Sequence, residues 1–233
     1  MDENLVSKSL FLIVIGLFAI TIATQVSVMQ IQGMVVGDSG SKVGFGNVDL
    51  DSVDVSSLQS TAHTIAAVFP LDEIHNSDDA LRIMFPTGTP AYGEVLGVSY
   101  DDPVGSLAKL ANMYRGLQNQ VKTDNPAAFQ KFINLAANPA GVSCEYCCGI
   151  GPAGADSNGN SRCGCQHNPA LLSVALYLSN AGYTDGEVLH EVMKWKTLFF
   201  PRDMISLGLK TATGEVDLSS LGSQNLPGMV GGC

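Results

Sequence analysis

Five of the chain's six cysteines lie between positions 144 and 165, in two groups that the fold must bring together or hold apart. The first is Cys144-x-x-Cys147-Cys148 and the second Cys163-x-Cys165-x-His167. Between them runs GIGPAGADSNGNSR, a stretch too rich in Gly, Asn and Ser to form a core. Such a loop folds back on itself and places the two groups face to face. His167 stands just before Asn168-Pro169, a helix-start pattern. A helix N-terminus favours the thiolate, which is both the nucleophile and the metal ligand.

Three chemistries fit this pattern. Cys-x-x-Cys with Cys-x-Cys resembles a tetrathiolate metal site, with His167 as an imidazole option. Cys144, Cys147, Cys163 and Cys165 lead as ligands, and Cys148 or His167 stand as alternates. Zn suits four Cys or three Cys with a His, whereas Cu(I) suits a thiolate-only subset. A c-type haem is disfavoured because Cys148, not His, follows Cys147. In the redox reading, Cys144 and Cys147 form a thiol-disulfide exchange pair. The third reading is a set of structural disulfides, although the adjacent Cys147-Cys148 and the close Cys163/Cys165 pair bridge poorly within themselves. Cys233 is either a separate thiol or an extra ligand delivered by the PGMVGG segment, with Met229 as a soft neighbour.

A net charge of -10 repels phosphate backbones, so the sequence offers no support for nucleic-acid binding or for a polybasic attachment to lipid. Membrane contact falls instead to Leu10–Met29, an uncharged run whose helical length matches a hydrocarbon core of about 30 Å. Its preceding MDENLVSKS carries two acids and no Ala-x-Ala follows, which favours an uncleaved anchor over a cleaved signal. Lys8 before the span orients the N-terminus inside and the main domain extracytoplasmic, at the cell membrane.

The expected organisation is a tail over 1–9, a transmembrane anchor over 10–29, a linker over 30–55, a helical Cys/His-cluster domain over 56–205 and a C-terminal tail over 206–233. A helix is expected from Ser56 to Val68, with Leu58, Ala62, Ile65 and Phe69 on one stripe, His63 beside it and Pro70 as the stop. Leu81–Tyr100 reads as two short β-type runs around a Pro/Gly/Thr loop. Asp102-Pro103, Asn125-Pro126 and Asn168-Pro169 each announce a helix by a capping side chain before a Pro. Thr184-Asp-Gly-Glu187 is a capping box, opening a helix to about Phe199 with Val188, Leu189, Val192 and Trp195 inward. Glu187, His190, Glu191 and Lys194 form its expected polar stripe. From Ser206 onward the pattern is a loose tail with one possible strand. The fold class expected is mainly α (α+β): a transmembrane helix, then a helical domain with a small β element and a Cys/His cluster.

His63, His75 and His190 read as solvent-facing or structural, and Asp78-Asp79 and Asp101-Asp102 as helix starts. No Gly-x-Ser-x-Gly, phosphate loop or His-Glu-x-x-His occurs, so those enzyme chemistries have no support in the sequence. The strings GTPAYGEVLGVSYDD, SCEYCCG, CGCQHN, YTDGEVLHEVMKWKTLFFP and LPGMVGGC together resemble an uncharacterised group of membrane-anchored archaeal Cys-rich proteins. More distantly, a Cys pair followed by helices is similar to the thiol subunit of cytochrome c maturation systems and to Cys-rich bacterial lipoproteins. That resemblance implies a compact redox or metal-type Cys motif. The expected function is an extracytoplasmic thiolate metal-binding protein for Zn or Cu(I). Its expected partners are the membrane and a metal or redox protein.

Overall fold

The computed structural model describes residues 48–214 and 226–231, all within one unit spanning Phe45–Cys233. Among the described residues nine α-helices follow in order: α1 (Thr61–Val68), α2 (Ser77–Met84), α3 (Gly93–Leu96), α4 (Pro103–Asp124), α5 (Pro126–Ala136), α6 (Glu145–Cys148), α7 (His167–Asn180), α8 (Asp185–Phe199) and α9 (Pro201–Thr213). Most begin where an acceptor side chain meets an orphan amide. Asp102 Oδ1 accepts from Gly105 N at 3.0 Å, and Asn125 Oδ1 from Ala128 N at 3.2 Å. Thr184 and Glu187 close the capping box that opens α8.

Helix α7 is the hub. It packs on α4, α5 and α8, and Leu171, Leu172, Val174, Ala175, Leu176 and Leu178 are all fully buried. A helix that is apolar on every side is covered on every side. Helix α9 leans on α1, α2 and α8, so the N-terminal helices close the far side of the core.

The expected architecture changes in several places. The α+β assignment is corrected: no strand forms among the described residues, where only two isolated bridges occur, Val142 with Ala153 and Ala155 with Ser161. The β element expected over Leu81–Tyr100 is replaced by the end of α2, a loop and α3. Asn76 starts α2 by accepting from the amides of Asp78 and Asp79, and Gly97, at φ 66°, ends α3. The loop is then pinned by its tyrosines to α8. Tyr92 donates to Glu191 Oε2 at 2.9 Å, Tyr100 donates to the same oxygen, and Trp195 Nε1 donates to Tyr92 at 2.7 Å. These contacts hold the segment by side chains, where a hairpin would use backbone pairing.

The transmembrane helix expected at Leu10–Met29 lies outside the described residues, and among those described no helix is long and apolar enough to cross a membrane. Helix α1 starts at Thr61, not Ser56, because Asp54 caps a separate short turn and the Ser60 hydroxyl accepts from His63 N. The stretch from Ser206 is no loose tail up to residue 213. Pro201 starts α9, its Met204, Ile205 and Leu209 are buried, and Gly214 ends it in the left-handed region.

His190 and Glu191 also leave the expected solvent stripe. His190 is 4% exposed, with its ring edge-on to Phe69 at 5.1 Å. Burial pulls its pKa down to about 4, with the Lys194 cation adding to the effect. The neutral ring is therefore the folded form, and acid favours the unfolded chain, where the ring binds a proton at its ordinary value. Stability falls as pH drops from about 6.5 towards 4, by about 3 kcal/mol from this group. Denaturant unfolding across that window should show the slope, and His190→Leu should flatten it; parallel curves for the two proteins would contradict this role.

Candidate metal centre

Two loops meet at the start of α7. On the first, Cys144 precedes the single turn α6, Cys147 N donates to Cys144 O at 2.9 Å, and Gly149 ends the turn at φ 63°. Cys148 gathers with Cys144, while Cys147, itself disulfide-bonded, lies towards Cys165 and His167. On the second loop, Cys163 and Cys165 flank Gly164 immediately before α7.

Asn168 joins the loops. It is fully buried, its Oδ1 accepts from Cys144 N at 3.2 Å, and its Nδ2 donates to Gly154 O at 2.8 Å and to Ser161 Oγ at 2.7 Å. It was expected to cap the helix. Instead α7 already begins at His167 and the amide bridges both cysteine loops. Gly154 has to be glycine here, since a Cβ would collide with Val142 O.

The sulfurs converge as the spacing implied, in a different grouping. Cys144, Cys148, Cys163 and Cys165 offer ligand atoms all within 4.8 Å of one another, and Cys147, Cys165 and His167 form a second such group. Cys148 thus replaces Cys147 in the tetrad expected from sequence. Cys148 and Cys163 are joined as a disulfide, and Cys144 and Cys165 are the free thiols among the described residues, 3.1 Å apart. Cys144 therefore faces Cys165 rather than serving as the partner of Cys147. Cys163 Sγ lies 3.4 Å from Cys165 Sγ. Cys144 is fully buried, Cys163 and Cys165 nearly so, and Cys148 is the exposed corner. Cys233 lies outside the described residues, and Met229 is exposed.

The pair is electrically asymmetric. The Cys144 thiol beside it pulls the Cys165 pKa far down against the effect of burial, helped by His167 and by the backbone amides of Asn168 and His167 at the mouth of α7. Cys144 is pushed up by the same contact and by burial. The contact thus favours a single proton between the two sulfurs, with the surroundings of Cys165 the more favourable to charge.

Two polar features escaped the sequence reading. Lys196, fully buried on α8, donates to Glu145 Oε1 at 2.8 Å, Gly141 O at 3.0 Å and Thr61 Oγ1 at 3.1 Å. Thr61 also donates to Glu145, and the ammonium lies over the Tyr146 ring. Burial lowers the Lys196 pKa, while Glu145 and Cys144 oppose that shift; the ion pair with Glu145 and the two further oxygens are what favour the ammonium form here. Its signal in the sequence was a lysine set inside the apolar run from Trp195 to Phe200. The second feature is the segment 226–231. Arg202 holds it through Leu226 O and Pro227 O, Val230 N donates to Phe199 O at 2.8 Å, and Val230 O lies 2.8 Å from His167 Nε2.

Lys196→Met should cost about 3–5 kcal/mol in denaturant unfolding, because Glu145 is left without its cation. A double-mutant cycle with Glu145→Gln should show coupling above about 1 kcal/mol; additive losses would mean that solvent already screens the pair. No family model, curated protein or solved structure matches the chain.

Proposed function

We propose that this protein binds a thiophilic metal ion, Zn(II) or Cu(I), through the thiolates of Cys144, Cys148, Cys163 and Cys165. The observation that carries the reading is the convergence of those four sulfurs within 4.8 Å, from two loops locked by Asn168. Zn–S bonds of about 2.3 Å in a tetrahedron place sulfurs about 3.8 Å apart. The separations of 3.1 Å and 3.4 Å around Cys165 need only a small opening to reach that arrangement. Amides at the N-terminus of α7 and the buried Lys196 offset the charge that the thiolates bring.

Loading requires the Cys148–Cys163 bond to be reduced first. A dithiol donates two electrons, becomes a disulfide itself and leaves two thiols, which release their protons as the metal enters. Cys148, the exposed member, gives both reductant and metal their access.

A second reading, thiol-disulfide exchange, is favoured by the existing disulfide together with the thiol-thiolate pair beside it. In it, the Cys165 thiolate attacks a partner disulfide. Cys144 resolves the mixed disulfide, giving Cys144–Cys165 and a reduced partner. Burial of Cys144 and near-burial of Cys165 count against this, because exchange requires an accessible nucleophile.

Elemental analysis of the full chain, reduced and desalted without oxygen, should find stoichiometric zinc or copper, with less than a tenth retained in Cys144→Ser/Cys165→Ser. Chelation should lower the Tm by several degrees, as expected when a ligand bound only by the folded state is removed. A metal-free reduced chain with a reversible two-electron couple that Cys144→Ser abolishes would instead establish the exchange reading.

A further inference from the structure

The segment 226–231 runs up to His167, next to Cys147, the disulfide-bonded cysteine that stands outside the tetrad. The chain has six cysteines. Cys148 and Cys163 bond each other, Cys144 and Cys165 are free thiols, and Cys147 is bonded. Within the chain that leaves Cys233 as its partner. We infer that Cys147 and Cys233 form a disulfide that latches the segment as a strap onto the cysteine region, and that a dithiol reductant opens it. The latch goes beyond the metal-binding reading above and does not rest on it.

The course of the chain supports the pairing. Cys147 Sγ lies within 4.8 Å of Cys165 Sγ and of a His167 ring nitrogen. The strap reaches the same ring: Val230 O is 2.8 Å from Nε2, and a Cβ on Gly231 would stand 3.9 Å from that nitrogen. Gly231 turns there at φ 78°, in the left-handed region, where a side chain would also strike Leu107. Cys233 is two positions further on and lies outside the described residues. Two residues span up to about 7 Å, and a disulfide joins Cα atoms about 4.4–6.8 Å apart, so Cys147 is within reach.

Without the bond the strap has a slender hold. Among the described residues its hydrogen bonds use its backbone: Arg202 donates to Leu226 O and Pro227 O, Val230 N donates to Phe199 O, and Val230 O faces His167. Its middle, Pro227 to Met229, is exposed. A segment that buries so little opens at low cost, whereas a cross-link between positions far apart in the chain removes much of its freedom. Opening consumes one dithiol. The dithiol gives two electrons and becomes a disulfide, the Cys147–Cys233 bond breaks, and the two sulfurs take up the two protons. Cys147 is half-buried, so the reductant has a way in. Release of the strap uncovers the Nε2 edge of His167.

Peptide mapping of the non-reduced full chain, its free thiols first blocked with a maleimide, should recover Cys147 and Cys233 in one cross-linked peptide. A blocked Cys147, or Cys147 joined to any other cysteine, overturns the pairing. Amide exchange at Val230, measured under chelator, then reads the latch. It should speed up about tenfold or more on treatment with dithiothreitol, and also in untreated Cys233→Ser and Cys147→Ser, where Cys148–Cys163 stays intact. In both variants the amides in the middle of α7 should keep their wild-type rates. Unchanged exchange at Val230 in Cys233→Ser overturns the latch even where the cross-link is found, and acceleration spread through α7 overturns its local character. All of these measurements use metal-free protein, so the zinc or copper content of the reduced chain stands or falls separately.

Discussion

The side-chain amide of Asn168 is the interaction on which the cysteine region depends. An amide offers one acceptor and two donor hydrogens in a plane, and here the oxygen takes the Cys144 amide while the nitrogen serves Gly154 and Ser161. It does so in full burial, where each bond is stronger than in water and each loss is costly. The loops themselves have few ways to hold together. They share no sheet, and the bridges at Val142 with Ala153 and at Ala155 with Ser161 are isolated. Ala136 O adds a further tie by accepting from both Gly154 N and Ala155 N. Sulfur convergence is thus built on hydrogen bonds from α5 and α7, the rigid elements on either side.

A second constraint is electrostatic. The chain is acidic overall, yet a fully buried lysine sits behind its sulfurs. Lys196 is tolerated because each of its donor hydrogens finds an oxygen, on Glu145, Gly141 and Thr61. Those three oxygens come from α6, the loop before it and α1, so the lysine also ties the first cysteine loop to distant helices. Packing and charge compensation are the same contact here.

Much of the helical framework was legible in the sequence because its signals are local. Proline at the first helical position with Asp102 or Asn125 before it, and the Thr184/Glu187 box, each act within one turn. The facing of the two cysteine groups was legible too, since a Gly-rich loop between them could do little else. What failed depended on contacts far apart in the chain. Asn168 looked like a cap because its neighbour is a proline, and only the fold reveals the Cys144 amide beside it. Leu81–Tyr100 looked β-like until Tyr92 and Tyr100 found Glu191, more than ninety residues on. His190 was placed in solvent because helical periodicity marks a polar stripe without showing that α1 covers it. The choice between Cys147 and Cys148 turned on α6, a single turn too short to announce itself.

The contact between His167 and Val230 has a consequence for the order in which the region matures. The two residues are 63 positions apart, and the carbonyl belongs to a segment that docks beyond α9. All five clustered cysteines and the helices carrying them leave the ribosome well before that segment does. Until that segment docks, the imidazole lacks the carbonyl that faces its Nε2. The orientation of the histidine is therefore the part of the region that waits on the 226–231 strap, whereas the Asn168 contacts that join the cysteine loops need nothing beyond α7.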